Sequence, residues 1–322
     1  MLISVVLSFR NEEKGLDELI RRLKASLAPT GHEFELVFVN DDSTDRSLAI
    51  LLEHRQADSR VKIITMSRRF GVHPCVIAGL DHARGDAVVY MDSDLQDPPE
   101  LIPQLIDKWQ EGADVVNTIR SKRLGESRFK LWVTGKAYTL INTVADINIP
   151  RNMGDFKLLS RRVVDELLKI RENDPFMRGL VRWVGFRQET VYYTREARFA
   201  GRTHFALFGL GPAKEFIRGV TSFSAAPLYF ALFLGIAVSL LSFLLIGYVL
   251  TVWSMGLAVP GWAGVMCTVS FLGGVTLIAN GFSGIYIGRI YEQVKNRPLY
   301  IVKDRAGFDD AADLRNPDWI QE

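Results

Sequence analysis

Tyr90-Met91-Asp92-Ser93-Asp94-Leu95-Gln96-Asp97-Pro98-Pro99 is the stretch on which the fold turns. An apolar, β-branched run, Ala87–Met91, ends abruptly in carboxylates, and a Pro-Pro pair then opens a helix-like segment over Pro99–Glu111. Upstream the same alternation repeats. Apolar runs at Leu2–Phe9, Phe34–Val39 and Val61–Met66 precede helix-like stretches at Glu13–Leu27, Asp45–Gln56 and Pro74–Ala83, and one more run, Val115–Ile119, follows. Unbroken apolar strands are those covered on both faces. Strand–helix alternation of this kind predicts an α/β fold with a doubly wound, mostly parallel sheet. Such sheets gather ligands at the carboxyl ends of their strands. Polar triplets stand there: Asn40-Asp41-Asp42 after the second strand, Ser67-Arg68-Arg69 after the third and Asp92-Ser93-Asp94 after the fourth.

Carboxylates at i and i+2 of a strand end can both reach one cation, directly or through water. Hard divalent ions take oxygen ligands, and Mg²⁺ binds through one or two carboxylates plus substrate phosphates. The pattern therefore suits an ion that offsets charge on a diphosphate leaving group. A plain strand-to-helix turn with Asp97 as helix cap gives the same residues a structural job. In the second acidic turn, Ser43 or Asp45 is placed to cap the next helix, while Asp41 is placed to accept a hydrogen bond from a base N–H. Asn11 and Glu12 after the first strand can line the same pocket.

Beyond residue 120 the pattern is less regular. Helices are expected over Ser127–Ala145 and Arg161–Ile170, and a strand over Thr190–Tyr193; Gly154-Asp155-Phe156 interrupts a basic segment. Phe205–Phe223, with Lys214 and Arg218, suits the membrane interface. No charged residue lies between Arg218 and Arg289. Within that gap Leu228–Trp253 and Trp262–Gly288 are each long enough to cross a ~30 Å hydrocarbon core, with a turn at Ser254–Gly261. The other reading of this pair is a buried helical hairpin. Basic residues flank the pair on both outer sides (Lys214, Arg218; Arg289, Lys295, Arg297, Lys303) and the turn carries none, so both termini and the sheet are expected in the cytoplasm. Trp253 and Trp262 flank the turn, where aromatic belt residues belong. The tail from Asp304 is polar and expected to be loosely ordered.

Whole-chain numbers fit that division. In 322 residues, 39 Lys and Arg balance 37 Asp and Glu, which argues against a nucleic-acid binder that relies on bulk positive charge. The two cysteines, Cys75 and Cys267, form neither a disulfide framework nor a metal-spaced cluster, as suits a reducing compartment. Met1–Phe9 runs straight into Arg10-Asn11-Glu12-Glu13 and is read as a first strand, not a signal peptide.

Several motifs occur in a fixed order: Ser8-Phe9-Arg10-Asn11-Glu12, Asn40-Asp41-Asp42-Ser43, Ser67-Arg68-Arg69-Phe70-Gly71, Asp92-Ser93-Asp94-Leu95-Gln96-Asp97-Pro98 and Gly154-Asp155-Phe156. Phe176-Met177-Arg178-Gly179-Leu180, Trp183-Val184-Gly185 and Arg198-Phe199-Ala200-Gly201-Arg202-Thr203 follow. Together they resemble glycosyltransferase family 2, of the GT-A fold, and within it the polyisoprenyl-phosphate glycosyltransferases, a group that includes dolichol-phosphate mannose synthases and bactoprenol glucosyltransferases. The resemblance runs to about residue 300. It implies that Asp92, Asp94 and Gln96 surround a Mg²⁺ or Mn²⁺ ion. Ser8, Glu12, Asp41, Arg68, Asp92 and Ser93 would form the nucleotide pocket, with Asp41 on uracil. Asp155 matches the catalytic base and, with Asp94, makes the catalytic pair. Arg198 and His204 match the basic pair for an acceptor phosphate, with Arg120, Arg123 and Arg202 as further anion contacts. Some motifs depart from the family pattern. Asp42 stands where a Gly is usual, a position that Asp fills better than most residues because it tolerates left-handed backbone. His204 stands where a Lys is usual and is only partly charged near neutral pH.

The expected organisation is a cytoplasmic GT-A domain (1–204), a juxtamembrane amphipathic helix (205–226), a two-helix transmembrane hairpin (227–290) and a cytoplasmic tail (291–322). The expected activity is inverting transfer of a single sugar, glucose first, from a UDP-sugar to polyprenyl phosphate at the bacterial cytoplasmic membrane, by a homo-oligomer, for which a tetramer is the first expectation. A phosphomonoester already carries about −1.5 to −2 charges at pH 7. Asp155 therefore has as clear a use in positioning the acceptor, or in stabilising positive charge on the sugar, as in taking a proton. As a loop residue salt-bridged near Arg151 it would have a structural use only. The basic cluster has an alternative use in attracting anionic lipid. Two rival functions are open: a processive polysaccharide synthase, against which Gly179 stands where a Gln-x-x-Arg-Trp motif needs Gln, and a non-catalytic membrane scaffold, against which the intact Asp92/Asp94 pair counts.

Overall fold

In the computed structural model, residues 1–123, 150, 153–170, 172–195, 221–256 and 261–308 are described. The expected strands form with small shifts of boundary: β1 (Leu2–Phe9), β2 (Glu33–Asn40), β3 (Val61–Met66), β4 (Ala87–Asp92) and β5 (Val115–Arg123). Between them lie α1 (Leu16–Leu27), α2 (Ser47–Ala57), α3 (Val72–His82) and α4 (Ile102–Gln110). Then come β6 (Met153–Ser160), α5 (Arg161–Lys169), α6 (Met177–Trp183), β7 (Gln188–Arg195), α7 (Ala226–Ser254), α8 (Trp262–Val294) and β8 (Val302–Ala306). The helix expected over Ser127–Ala145 and the interfacial segment over Phe205–Phe223 lie outside the described residues, apart from the last three of the latter.

Among the described residues the eight strands form one sheet, in the order β7-β5-β6-β4-β1-β2-β3-β8. Pairing is parallel for β1 with β2 and β4, β2 with β3, and β5 with β7; β6 and β8 run antiparallel to their neighbours. The predicted doubly wound, mostly parallel sheet is therefore what the chain builds. Alternate strand residues feed two cores. Ile3, Val5 and Leu7 of β1 and Val89 of β4 pack under α1, α2 and α4, whereas Val6, Val39 and Tyr90 pack under α3, α5 and α6. Both faces are apolar because both are covered, which is why the strands read as unbroken runs.

Two strands depart from expectation. β6 contains Gly154-Asp155-Phe156, read from sequence as an interruption. The tail expected to be loose supplies β8, whose residues 302–306 pair with β3. Its centre, Lys303-Asp304-Arg305, is exposed. Charge on a short edge strand guards against pairing with other chains.

α7 and α8 contain the two uncharged runs. Windows of 27 and 24 residues in them are apolar enough to cross a membrane, and almost none of their surface is buried. These helices are therefore not packed into the core of the sheet domain. At their ends nearest the sheet, the Tyr286 hydroxyl donates to the Ser224 carbonyl at 2.7 Å and Arg289 donates to Ser222 Oγ at 2.9 Å. The chain thus leaves the hairpin beside the point where it entered.

Candidate active site

The candidate carboxylates share one face and one edge of the sheet. Val88 and Tyr90 face the α3 side, so Asp92 at the last position of β4 does too; Val37 and Val39 place Asp41 likewise. Lys157 of β6 lies opposite Tyr90, which sets Asp155 on the same face. Ser8 pairs with Asp92 in register and Phe9 with Asn40. Ser8, Asp41, Asp92 and Asp155 are brought to the carboxyl edge; the sequence pattern puts Asp41 and Asp92 there, whereas it reads Asp155 as part of an interruption.

The Asp92–Pro99 turn is held from below. Leu95 has φ +58° and is buried, an uncommon conformation for a branched residue that its core packing fixes. Anchoring Leu95 inward presents Asp94 and Gln96 on either side, with the Gln96 N–H donating to Asp94 Oδ1 at 3.2 Å. Ser93 Oγ donates to the Ser8 carbonyl at 3.0 Å and ties the turn to β1. The left-handed position expected at Asp42 has φ +57°. Asp45 accepts from the Ser47 and Glu13 N–H groups, so it holds the start of α2 as one structural reading proposed.

Asp97 is not a helix cap. It is fully buried and accepts the Tyr193 hydroxyl, which in turn accepts from Arg120 Nε at 3.0 Å; Arg120 Nη2 stands 3.6 Å from Asp97 Oδ2. Arg120 is itself 7% exposed. Its place is in this buried triad on the α1/α4 side, next to Phe156, and not at an open anion site as expected.

The charge balance at the edge is uneven. Burial, then the charges of Asp97, Asp155 and Asp94, push Asp92 up to about 7, with Arg120 opposing. A carboxyl raised by neighbouring carboxylates is one a cation would relieve. Among the described residues, no three of His, Cys, Asp and Glu form a group able to hold a metal ion by themselves. Asp92, Asp94 and Gln96 fit an ion whose shell is completed by phosphate oxygens and water.

Asp155 is not a loop residue, and Arg151 lies outside the described residues. Asp155 lies in β6 and takes two hydrogen bonds from Arg178 of α6, one of them Nε to Oδ1 at 2.9 Å. Burial raises its pKa, but the charge and hydrogen bonds of Arg178, then Lys157 and His73, outweigh it and hold the carboxyl well below the usual range. Lys157 is fully buried, donates to the Gly154 carbonyl at 2.6 Å, and is brought down to about 7, chiefly by burial, with Asp155 opposing. Arg178, Lys157 and Tyr193 were not expected from sequence. Arg178 stood inside a quoted motif without a role, and a Lys in an alternating segment reads as a solvent residue.

Asp41 is already engaged. Its Oδ1 accepts from Phe70 N–H at 2.6 Å and its carboxylate accepts from Gly71 N–H at 3.1 Å. Burial and Asp41 together push the Cys75 thiol up. A carboxylate has about four acceptor positions, so Asp41 keeps capacity for a base while it fixes the loop before α3. Arg68 stacks on the Phe70 ring at 4.1 Å in that loop. The Glu12 backbone is tied to Ser47 and Gly15. Arg123 ends β5, and Arg198, Arg202 and His204 lie outside the described residues. A cavity of about 530 Å³ between α1 and α4 contains none of these residues.

Comparison with known proteins identifies the family of the chain. The model of glycosyl transferase family 2 matches residues 4–168. An uncharacterized glycosyltransferase, YkcC, of Bacillus subtilis is 44% identical over 95% of this chain and 94% of its own. A SfII prophage-derived bactoprenol glucosyl transferase of Shigella flexneri is 40% identical over 94% of this chain and 98% of its own. Among solved structures, mannosyl-3-phosphoglycerate synthase from Rubrobacter xylanophilus aligns over 69% of this chain and 73% of its own, at 18% identity and a TM-score of 0.49, too low to add to the assignment.

Proposed function

This chain belongs to glycosyl transferase family 2 and is a glycosyltransferase, and from that premise we propose that it moves a single sugar, glucose in first place, from a UDP-sugar to a polyprenyl phosphate such as undecaprenyl phosphate. The observation that carries the reading is the end-to-end match to the Shigella flexneri bactoprenol glucosyl transferase, which extends through both apolar helices. The geometry of the sheet edge supports it. Ser8, Glu12, Asp41, Arg68, Asp92 and Ser93 border the place for the nucleotide. Asp92, Asp94 and Gln96 would hold Mg²⁺ or Mn²⁺, which when bound supplies positive charge to the diphosphate.

In the proposed reaction an oxygen of the acceptor phosphate bonds to carbon 1 of the sugar as the bond from carbon 1 to the UDP oxygen breaks, with inversion. A phosphate dianion needs no base for this step. Asp155, held ionised by Arg178 and Lys157, is suited to stabilise positive charge developing on the sugar. The acceptor phosphate would meet Arg123, Arg198, Arg202 and His204 at headgroup level while its polyprenyl chain stays in the bilayer. Two spans with basic flanks favour a sheet domain and termini on the cytoplasmic side. The return of the chain to β8 in the same sheet supports the two ends being on one side.

The test is to incubate membranes containing the protein with undecaprenyl phosphate and a panel of labelled nucleotide sugars. The expected product is one lipid-linked sugar, made best from UDP-glucose. No lipid-linked product with any donor would defeat the reading.

A further inference from the structure

Gly179 lies inside helix α6, where a glycine costs about 1 kcal/mol relative to alanine. Its surroundings explain it. A Cβ at this position would fall 2.2 Å from Cε2 and 2.7 Å from Cζ of Phe223, and 2.8 Å from Cδ1 of Phe176. The Phe223 ring therefore lies directly on the α6 backbone, with its centroid 6.3 Å from that of Phe176. Phe223 is three residues before the first membrane-crossing helix. The residue next to Gly179 is Arg178, which grips Asp155.

The end of the second apolar helix holds the segment that leads into α6. Asn173 N–H donates to Gln293 Oε1 at 3.1 Å, and the Asn173 side chain donates to the Glu292 carbonyl. Arg289 stands 3.8 Å from Asp174 and donates to Ser222 Oγ at 2.9 Å. The approach to α6 and the helix itself are thus fixed by contacts from both ends of the hairpin, and Asp155 receives its orientation from α6.

We propose that Phe223, seated on Gly179, is a positioning residue through which the membrane hairpin sets Arg178 on Asp155. The proposal rests on the glycosyl-transfer reading in that it gives Asp155 a part in the reaction. Phe223 touches neither donor nor acceptor in this scheme; it acts through α6. A side chain that acts this way changes the rate of transfer and not the affinity for the nucleotide sugar.

The experiment uses the full-length protein in lipid nanodiscs. Phe223→Ala is expected to lower kcat about tenfold, within the range that a small misplacement of a catalytic group produces, with the donor KM unchanged. Phe223→Leu, which keeps an apolar filler, is expected to recover most of the rate. In an Arg178→Ala background Phe223→Ala is expected to add no further loss, because the path it serves is already cut. Hydrogen exchange of the backbone amides of residues 177–183 is read in parallel, and is expected to speed up in Phe223→Ala. A wild-type kcat for Phe223→Ala, or the same fold loss with and without Arg178, would overturn the proposal. Should the wild type turn over no donor at all, the functional reading fails separately and hydrogen exchange alone decides: unchanged protection of α6 overturns the contact, and faster exchange supports it.

Discussion

Asp92, Asp94, Asp97 and Asp155 converge on one sheet edge, and their unequal partners divide the work. Asp97 has Tyr193 and Arg120, and Asp155 has Arg178; Asp92 carries the cost of the others. Asp94→Ala removes a half-buried carboxylate that would face the cation in the proposed site. Metal stabilisation is worth several kcal/mol, so kcat is expected to fall at least ~100-fold with the thermal unfolding midpoint unchanged; undiminished turnover of the purified variant would contradict the assignment. Lys157 gives a second prediction. Its folded pKa of about 7 lies below the ordinary lysine value of about 10.4. Between those pH values the unfolded chain carries a proton that the native chain lacks. Native stability therefore rises with pH in that window, by up to ~1.4 kcal/mol per pH unit. Lys157→Met is expected to flatten the rise, as read from denaturant midpoints in detergent from pH 7 to 9.5; an equal slope in both proteins would count against it. Of these residues Asp92 and Asp94 were legible because Asp at the end of an apolar strand is conspicuous; Asp155 came through the family resemblance, and Asp97 reads as a helix cap. The sequence did not show Lys157 or Tyr193, because a buried cation and a buried hydroxyl are recognised only by partners distant in the chain.

Elements were legible in proportion to how evenly they are buried. β1 to β4 are covered on both faces, so their apolar runs mark them almost to the residue. β6 breaks that rule because Lys157 and Asp155 occupy positions facing the site, and β8 breaks it because an edge strand pays no penalty for Lys303, Asp304 and Arg305. The residues leading into β8 nevertheless reach the side on which the donor is proposed to bind. The Ile301 carbonyl accepts from Ser67 N–H at 2.9 Å, and the Tyr300 hydroxyl donates to Asp81 of α3 at 2.5 Å. The loop between them, Ser67–Gly71, is the one that Asp41 fixes. Tyr300→Phe leaves a part-buried carboxylate without its donor, which costs about 1–3 kcal/mol. A lower unfolding temperature and a severalfold higher donor KM are expected, with the acceptor KM unmoved; an unaltered donor KM would separate β8 from the nucleotide pocket.

Across the whole molecule the hairpin has two roles: it spans the bilayer in the proposed topology, and it holds α6. Its orientation can be read by chemistry. In a Cys267→Ala background, with Cys75 buried, Met255→Cys at the turn is expected to react with a membrane-impermeant maleimide on intact spheroplasts. Glu292→Cys is expected to react only after permeabilisation, and the reverse pattern would invert the proposed topology. The order of the chain adds a consequence for biosynthesis. When β7 has been synthesised, seven strands of the sheet have been made, but Phe223 and β8 are still to be added. About 110 residues separate Arg195 from Ala306, which at ~5–20 residues per second is a delay on the order of 5–20 s. In the proposed topology the hairpin enters lipid during that interval, before the last strand closes the β3 edge. In that topology, a nascent chain whose hairpin has not entered lipid is therefore expected to lack two contacts of the finished fold, the Phe223 ring on Gly179 and the pairing of β8 with β3.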